Sequence, residues 1–423
     1  MIEKDIKASP KKVRIAIVGN GVFSRLSLWF LLKYWREQKI DERFDGGIIE
    51  LHIDHISSDL EYPPTSLKTT STVCLNGITK GHSPLGDLLV DSFSFFVREI
   101  VPQFAGVFPA QHHIDYKEQD KNTRFPTHFD QSLQIYRATL EAYIIDAEIF
   151  LRSVDDKIED LLNSELLNRP IFLQKINASL EELSEVSNVL DDRVLGPSMI
   201  ELYLKMNKRD FFQQKNIFEV RSYHRVLLGT GHHTQNILHQ ISNPVTYQKL
   251  QRTRFLTGHF LQSIRAENKF TSEFLQRLRR NPYWITFGDY YFLFFCRGSE
   301  VVIKMGSDNH HIPTTEHENE ARSVFYSRRT LESIFDFLNR HLKVVMSYED
   351  YKLIGCFKDY EIVTGIRHKG IKRTPEVLPI FPILDTSLPA QAYLAFGFYK
   401  NGWSTGPYKA HQTILEMLKD FKT

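Results

Sequence analysis

Residues 13–24, Val-Arg-Ile-Ala-Ile-Val-Gly-Asn-Gly-Val-Phe-Ser, constrain this chain more than any other stretch. The apolar run Ile15 to Val18 reads as a buried strand, and the apolar-periodic stretch from Leu26 to Tyr34 reads as a helix. Between them lies Gly19-x-Gly21-x-x-Ser24. A strand, a glycine turn and a helix in that order form the setting in which such spacing marks a dinucleotide site. Gly19 permits the tight turn, Gly21 lets a pyrophosphate approach the backbone, and the helix start offers unsatisfied N–H groups. Ser24 stands where a third glycine is usual, and a serine is small enough for close helix–strand packing. A plain turn that needs two glycines gives the same letters. The flanking strand and helix favour the nucleotide reading.

Such a site calls for an acid at the end of the second strand, to hold ribose hydroxyls. Ile48 to Ile53 reads as that strand after Gly46-Gly47, with Asp54 at its end and Glu50 as the alternative. The usual interval is about 20 residues. Asp54 lies 54 − 21 = 33 beyond Gly21, which a lengthened first helix and a polar exit from Arg36 to Asp45 would absorb.

A chain of 423 residues can bury more than one core. Its 53 Lys+Arg against 51 Asp+Glu leave no electrostatic basis for nucleic-acid or anionic-membrane binding. No apolar run is long enough to span a bilayer, and Met1 to Lys12 lacks the apolar segment of a secretion signal. Cys74, Cys296 and Cys356 are too widely spaced for a disulfide framework or a zinc pattern, which suits a reducing, cytoplasmic location.

Further along, Ser57 to Lys68 reads as a polar loop, followed by Thr69 to Gly77, and Ser83-Pro84 opens a helix running to Ile100. Leu133, Leu140, Ile144, Ile149, Leu161 and Leu180 recur at helical spacing, so 130–215 is expected to be several amphipathic helices covering a site. Tyr223 to Gly231 reads as a strand ending in Gly-Thr-Gly. Tyr290 to Cys296 and Glu300 to Lys304 read as a hairpin around Arg297-Gly298-Ser299, and the aromatic run as sheet core. Ser327 to Val345 is expected to be helical, Tyr360 to Thr364 and Gln391 to Phe396 to be strands, and Pro407 to Phe421 a closing helix. The pairs His112-His113, His232-His233 and His310-His311 do not suggest a metal, because strand neighbours point to opposite faces. His232 or His233, next to Gly231, is placed to touch a ligand.

Gly365-Ile-Arg367 and then Gly397-Phe-Tyr-Lys-Asn-Gly-Trp-Ser-Thr-Gly-Pro407 follow in order. With the N-terminal glycine turn, Thr70-Ser71-Thr72 and Gly229-Thr-Gly231, they resemble the D-amino-acid oxidase and glycine oxidase superfamily of flavoproteins. The matched positions are few, but they span residues 13 to 420. The resemblance implies that Gly19, Gly21 and Ser24 cradle the FAD pyrophosphate, with Asp54 on the ribose. It implies further that Ser71 and Thr72 line the path to the flavin and that Gly229, Thr230 and Gly231 pass close to the dinucleotide. Lys400 to Thr405, with Gly402 and Ser404, would approach the pyrimidine edge of the flavin ring. Ser404-Thr405-Gly406-Pro407 also reads as a helix start, whose dipole favours negative charge on a reduced ring; simple capping of a surface helix is the alternative.

The resemblance makes Arg367 the partner of a substrate carboxylate, a role its planar, permanently charged fork suits. His368 stands where the family has proline, Arg373 is the alternative anchor, and a surface ion pair is the bland reading of Arg367. Lys400 would stabilise reduced flavin or meet an anionic substrate, and Tyr399 would line the ring. Cys296 and Cys356 do not fall where relatives attach flavin covalently, so buried thiols are expected. The helical 130–215 departs from the family, which has strands there.

The expected fold is therefore α/β: a Rossmann-type FAD-binding domain and a second domain of antiparallel sheet with added helices. The FAD domain would take 10–110, 216–250 and 356–423, the helical cover 111–215 and the substrate domain 251–355. The expected function is FAD-dependent oxidation of a C–N bond in an amine or amino acid, free or peptide-borne, by hydride transfer to flavin N5. The alternatives are an FAD-dependent hydroxylase or 2-hydroxy acid dehydrogenase, and a non-catalytic binding protein on the same fold.

Overall fold

A computed structural model describes residues 11–37, 49–58, 65–75, 83–119, 125–163, 171–187, 198–209, 216–313, 320–383 and 391–419. Gly46-Gly47 and the side chains of His232, His310 and His311 lie outside the described residues.

The chain opens as expected, with β1 (Lys11–Val18), the glycine turn, α1 (Val22–Glu37) and β2 (Ile49–Ser57). There follow β3 (Thr72–Cys74), α2 (Pro84–Phe95), β4 (Val107–Tyr116), β5 (His128–Asp130), β6 (Ile135–Ile145) and α3 (Ala147–Asn163). Ser83 caps α2 by accepting from the Gly86 N–H at 3.0 Å, with Pro84 in the first turn. Next come β7 (Ile171–Ser187), β8 (Ser198–Arg209), β9 (Asn216–Tyr223), β10 (Arg225–Leu228), α4 (Pro244–Gln251), β11 (Arg254–Ala266) and α5 (Ser272–Arg280). The last third holds β12 (Tyr283–Phe287), β13 (Tyr290–Arg297), β14 (Glu300–Pro313), α6 (Glu320–Val345), α7 (Tyr348–Lys352), β15 (Glu361–Lys369), β16 (Glu376–Pro379), β17 (Ala392–Phe396) and α8 (Gly402–Met417).

Two sheets result. The first runs β16-β17-β10-β1-β2-β7-β8-β9, parallel from β17 through β7 and antiparallel beyond. Its central strand is covered on both faces, which explains the unbroken apolar run of β1. Val13, Ile15 and Ile17 pack with Trp29, Phe30, Phe150 and Ile414 from α1, α3 and α8. Ala16 and Val18 face Ile200, Leu202 and Leu204 of β8. The second sheet runs β15-β11-β14-β13-β12-β4-β6-β3, and β13 and β14 form the expected hairpin with Arg297 opposite Glu300. Among the described residues no helix is long and apolar enough to cross a membrane.

Three expectations are corrected. The 130–215 region is mainly strands, with α3 its single described helix. Leu140 and Ile144 lie four apart, a spacing that shares one face of a strand as well as of a helix. On β6 the residues Ala138, Leu140, Ala142 and Ile144 are buried while Thr139 and Glu141 are exposed. Second, β4, β6 and β15 belong to the second sheet, so that layer draws on more of the chain than 251–355. Third, α8 begins at Gly402, and Pro407 lies inside it. The Thr405 N–H and hydroxyl both donate to the Asn401 carbonyl, at 2.8 and 2.7 Å, so the first turn closes upstream of the proline.

Candidate functional site

The two sheets enclose a cavity of about 810 Å³, within the range of cofactor and ligand sites. One wall is backbone. Gly19 has φ +109°, and a Cβ there would stand 2.4 Å from the Gly229 carbonyl oxygen. Such a position admits only glycine. The Gly19 N–H donates to Ile56 O and the Gly229 N–H to Val18 O, both at 2.8 Å, which sews the turn to β2 and β10. His55 adds an Nε2 contact to the Gly19 carbonyl at 2.8 Å, and burial pushes its imidazole down to about 4. The Val22 N–H, at the start of α1, donates to Ser66 Oγ at 3.0 Å. Gly19, Gly21, Gly229, Thr230 and Gly231 all line the cavity.

Ser24 does not line it. Its hydroxyl donates to Val18 O at 3.4 Å, and a Cβ at Gly229 would stand 2.2 Å from that oxygen. Ser24 thus fills the packing place beneath the turn. Asp54 lies elsewhere too. β2 continues to Ser57, so Asp54 sits three residues before its end, on the face covered by β9. Its carboxylate accepts from Tyr223 Oη at 2.7 Å and Arg221 Nη1 at 3.0 Å, and it is not on the cavity wall. Glu50 faces His52 and Lys12. Ile56 and Ser57 of β2, and Ser58 just after it, are the residues that this strand brings to the cavity.

The middle of the cavity is bordered by 69–72, tied down from three sides. Trp403 Nε1 of α8 donates to Thr69 Oγ1 at 3.0 Å, Lys304 Nζ of β14 donates to Thr69 O at 3.3 Å, and the Ile145 N–H of β6 donates to Ser71 O at 2.8 Å. Ser71 has φ +55°, a left-handed strain that these anchors hold in place. Ser71 and Thr72 both line the cavity.

The far end joins β15 to the turn before α8. Gly365 lets this edge meet the 65–68 turn, since a Cβ there would lie 2.8 Å from Lys68 O. Gly370 and Gly397 pack back to back; a Cβ on Gly397, which has φ +77°, would be 2.9 Å from Gly370 Cα. The Tyr399 N–H donates to His368 O at 2.9 Å, with Tyr399 itself at φ +43°. Arg367, Tyr399, Lys400, Gly402 and Ser404 line the cavity. Arg367 is 9% exposed, and its Nε has no hydrogen-bond partner among the described residues. Exposed Arg373 and buried Thr405 lie off the wall. His368 stacks on Phe255 at 4.2 Å, contacts Thr253 Oγ1 at 2.6 Å, and is pushed by burial down to about 4.

Sequence reasoning missed the wall supplied by the second sheet. Trp284, Thr286, Tyr291 and Leu293 line it, while Phe292 and Phe294 point into the opposite core. The run 290–295, Tyr-Tyr-Phe-Leu-Phe-Phe, is apolar throughout, so its letters did not separate the two faces of the strand. Behind this wall His112 stacks on Trp284, with ring centroids 3.8 Å apart, and its Nε2 meets Thr286 Oγ1 at 2.7 Å. Complete burial pushes His112 down to about 3, so it is neutral. Its neighbour His113 contacts Thr139, consistent with opposite faces. Lys304 lies 5.5 and 5.8 Å from the Phe260 and Phe295 ring centroids, and burial lowers its ammonium to about 8. His233 also lines the cavity, its imidazole lowered by burial. No group of three or more His, Cys, Asp or Glu among the described residues is placed to hold a metal.

These residues fit an elongated dinucleotide. Glycine backbone stands at one end, a cation and the N-terminal turn of α8 at the other, and a buried guanidinium lies beside the second sheet. No protein-family model matches the chain, and no curated protein matches its sequence. Solved structures do match. Glycine oxidase from Geobacillus kaustophilus superposes at TM-score 0.58 with 11% identity, over 97% of this chain and 95% of that one. Iminodiacetate oxidase from Chelativorans sp. BNC1 superposes at 0.54 with 12% identity, over 96% and 95%. L-amino acid deaminase from Proteus myxofaciens superposes at 0.58 with 8% identity, over 98% and 91%. The chain therefore has the fold of these proteins along nearly its whole length.

Proposed function

We propose that this protein is an FAD-dependent oxidoreductase that oxidises a C–N bond of an amine or amino acid. One observation carries the reading: the glycine turn at 19–21, the turn at 397–402 and Arg367 line a single cavity although they are far apart in sequence. The fold shared with glycine oxidase and iminodiacetate oxidase supports the same class of reaction. Bound FAD would supply the hydride acceptor, at its N5.

The chain's own part is binding and orientation. Gly19, Gly21 and Gly229 would take the pyrophosphate against bare backbone, with the first turn of α1 favouring its charge. Ser71 and Thr72 would flank the connecting chain. Lys400 and the N-terminal turn of α8 would stabilise negative charge gained at the ring. Arg367, which is on the cavity wall, would grip a carboxylate through its planar fork. Holding the α-carbon in one attitude supplies much of the rate in a reaction that needs no strong base.

The test is an absorbance spectrum of the purified protein, before and after incubation with FAD, followed by anaerobic addition of amino acids. A flavin spectrum that bleaches is the expected result; a protein that takes up no FAD refutes the proposal. Arg367→Leu should keep the FAD and lower kcat/KM for an amino acid by about 100-fold or more, roughly 3 kcal/mol of lost binding.

A further inference from the structure

We infer that the substrate of this site carries a second acid group besides the carboxylate assigned to Arg367, and that Lys369, Lys372 and Arg373 form a cationic rim that collects it. This names a substrate class for the proposed oxidoreductase, an amino acid or amine with two acid groups, and rests on the reading of Arg367 as carboxylate anchor.

The chain as a whole is almost balanced, with 53 Lys+Arg against 51 Asp+Glu, but this end of the cavity is not. From Gly365 to Pro375 and from Gln391 to Lys409 there is no acid, while Arg367, Lys369, Lys372 and Arg373 stand close together in the sequence. None of these four has an ion pair among the described residues, and the next acid along the chain, Glu376, is taken by Lys249. A single carboxylate held by Arg367 leaves the other three charges unmatched. Their summed field favours a ligand that brings a second one.

Backbone contacts fix where the charges stand. The Tyr399 N–H bond to His368 O, at 2.9 Å, and the bridge between Lys369 and Phe398 lay the end of β15 along the turn before α8. Asn401, on the cavity wall, donates from Nδ2 to the Arg373 carbonyl at 3.4 Å, which holds the 370–373 turn at the rim. Lys369 and Lys400 each place Nζ 5.6 Å from the centroid of the Tyr399 ring, which lines the cavity. The two ammoniums are thus no more than twice that distance apart. Like charges so placed repel, and an anion beside the ring relieves them.

The backbone carries a second sign. Lys372 and Arg373 have φ of +50° and +63°, a left-handed conformation that glycine takes freely and asparagine tolerates. Both side chains are exposed, so core packing does not account for two strained cations in succession. Strain of this kind collects where a ligand is held.

The experiment is calorimetric titration of the protein, as purified, with two non-reacting acids of equal chain length, butyrate and succinate, at about 20 mM and about 200 mM salt. Succinate is expected to bind at least about tenfold more tightly at the lower salt, and its advantage to shrink several-fold at the higher. A rim variant combining Lys369→Gln, Lys372→Asn and Arg373→Asn should lose most of that advantage, while butyrate affinity changes by less than about threefold. Asparagine suits the left-handed positions, so this variant should unfold at no lower urea concentration than the parent, which separates lost charge from lost fold. Arg367→Leu should weaken both acids. Equal affinity for the two acids overturns the inference, as does an advantage that survives in the rim variant or succinate binding that ignores Arg367→Leu. Flavin content is read separately, from the absorbance of the same samples. A protein that lacks FAD yet shows this pattern keeps the cationic rim and loses the oxidoreductase reading; one that holds FAD without the pattern does the reverse.

Discussion

The two walls of the cavity are made of different material. The glycine-turn end of the first-sheet wall is backbone: Gly19, Gly21 and Gly229 present peptide groups and no side chain. The second-sheet wall is side chain: Trp284, Thr286, Tyr291 and Leu293 stand on a pleated surface, backed by neutral His112 and buried Lys304. A backbone wall can recognise what many ligands share, such as a diphosphate. A side-chain wall can be altered one residue at a time without unmaking the strands beneath it. The constant part of a ligand thus faces the part of the protein that tolerates least change.

That contrast can be broken most severely at Gly19. Gly19→Ala places a methyl 2.4 Å from a carbonyl oxygen, at φ +109°, and should cost about 3 kcal/mol or more in urea unfolding, a large fraction of a domain's stability. Gly231→Ala meets nothing within 4 Å and has only its φ of +60° to resist it. It should cost about 1 kcal/mol in urea unfolding. Equal losses would show that the turn is not the rigid wall described.

Acid tests both walls. Folded His112 titrates near 3 and His55 near 4, while unfolded histidine takes its proton near 6.5. Between those values the unfolded state binds more protons, so stability should fall as pH drops from 6.5 toward 4, by on the order of several kcal/mol. His112→Gln should flatten this acid limb more than His55→Gln. The reverse order would place the larger desolvation at the glycine turn.

Lys304 gives a smaller effect with the opposite pH range. The folded group loses its proton near 8 and the unfolded one near 10.5, so native stability climbs between those values. Lys304→Met should stabilise the protein by up to roughly 3 kcal/mol near neutral pH, with the gain fading toward pH 10.5. A gain that does not change with pH would mean that improved packing, and not the buried charge, is responsible.

The smallest change is Asp54→Asn. It weakens contacts to Tyr223 and to a partly exposed Arg221, for about 1 kcal/mol, and should leave FAD affinity unchanged. A large loss of FAD affinity in a folded variant would return Asp54 to the ribose.

The features that could be read from sequence are those in which one residue type satisfies one backbone demand. Gly19 and Gly21, the hairpin at Arg297-Gly298-Ser299 and Ser83-Pro84 are of that kind. The strands of 130–215 were hidden because Leu140 and Ile144 fit either period, and the polar faces of β7 and β8 resemble those of a helix. Asp54 misled because the apolar run stops at Ile53 whereas hydrogen bonding carries β2 on through His55 and Ile56 to Ser57. Pro407 misled because a proline so often opens a helix; here Asn401 opens it one turn earlier. Trp284 carried no local sign at all, since its importance comes from His112, a residue far away in sequence that only the register of β4 with β12 brings alongside.

Gly370 and Gly397 pack so closely that a Cβ on either would meet the other's Cα, at 3.1 and 2.9 Å. Nothing compressible separates the loop after Arg367 from the loop that launches α8, so neither can shift without pushing the other. The guanidinium of Arg367 and the lysine of Lys400 are in effect mounted on one bracket, and a bulkier residue at either glycine would move both.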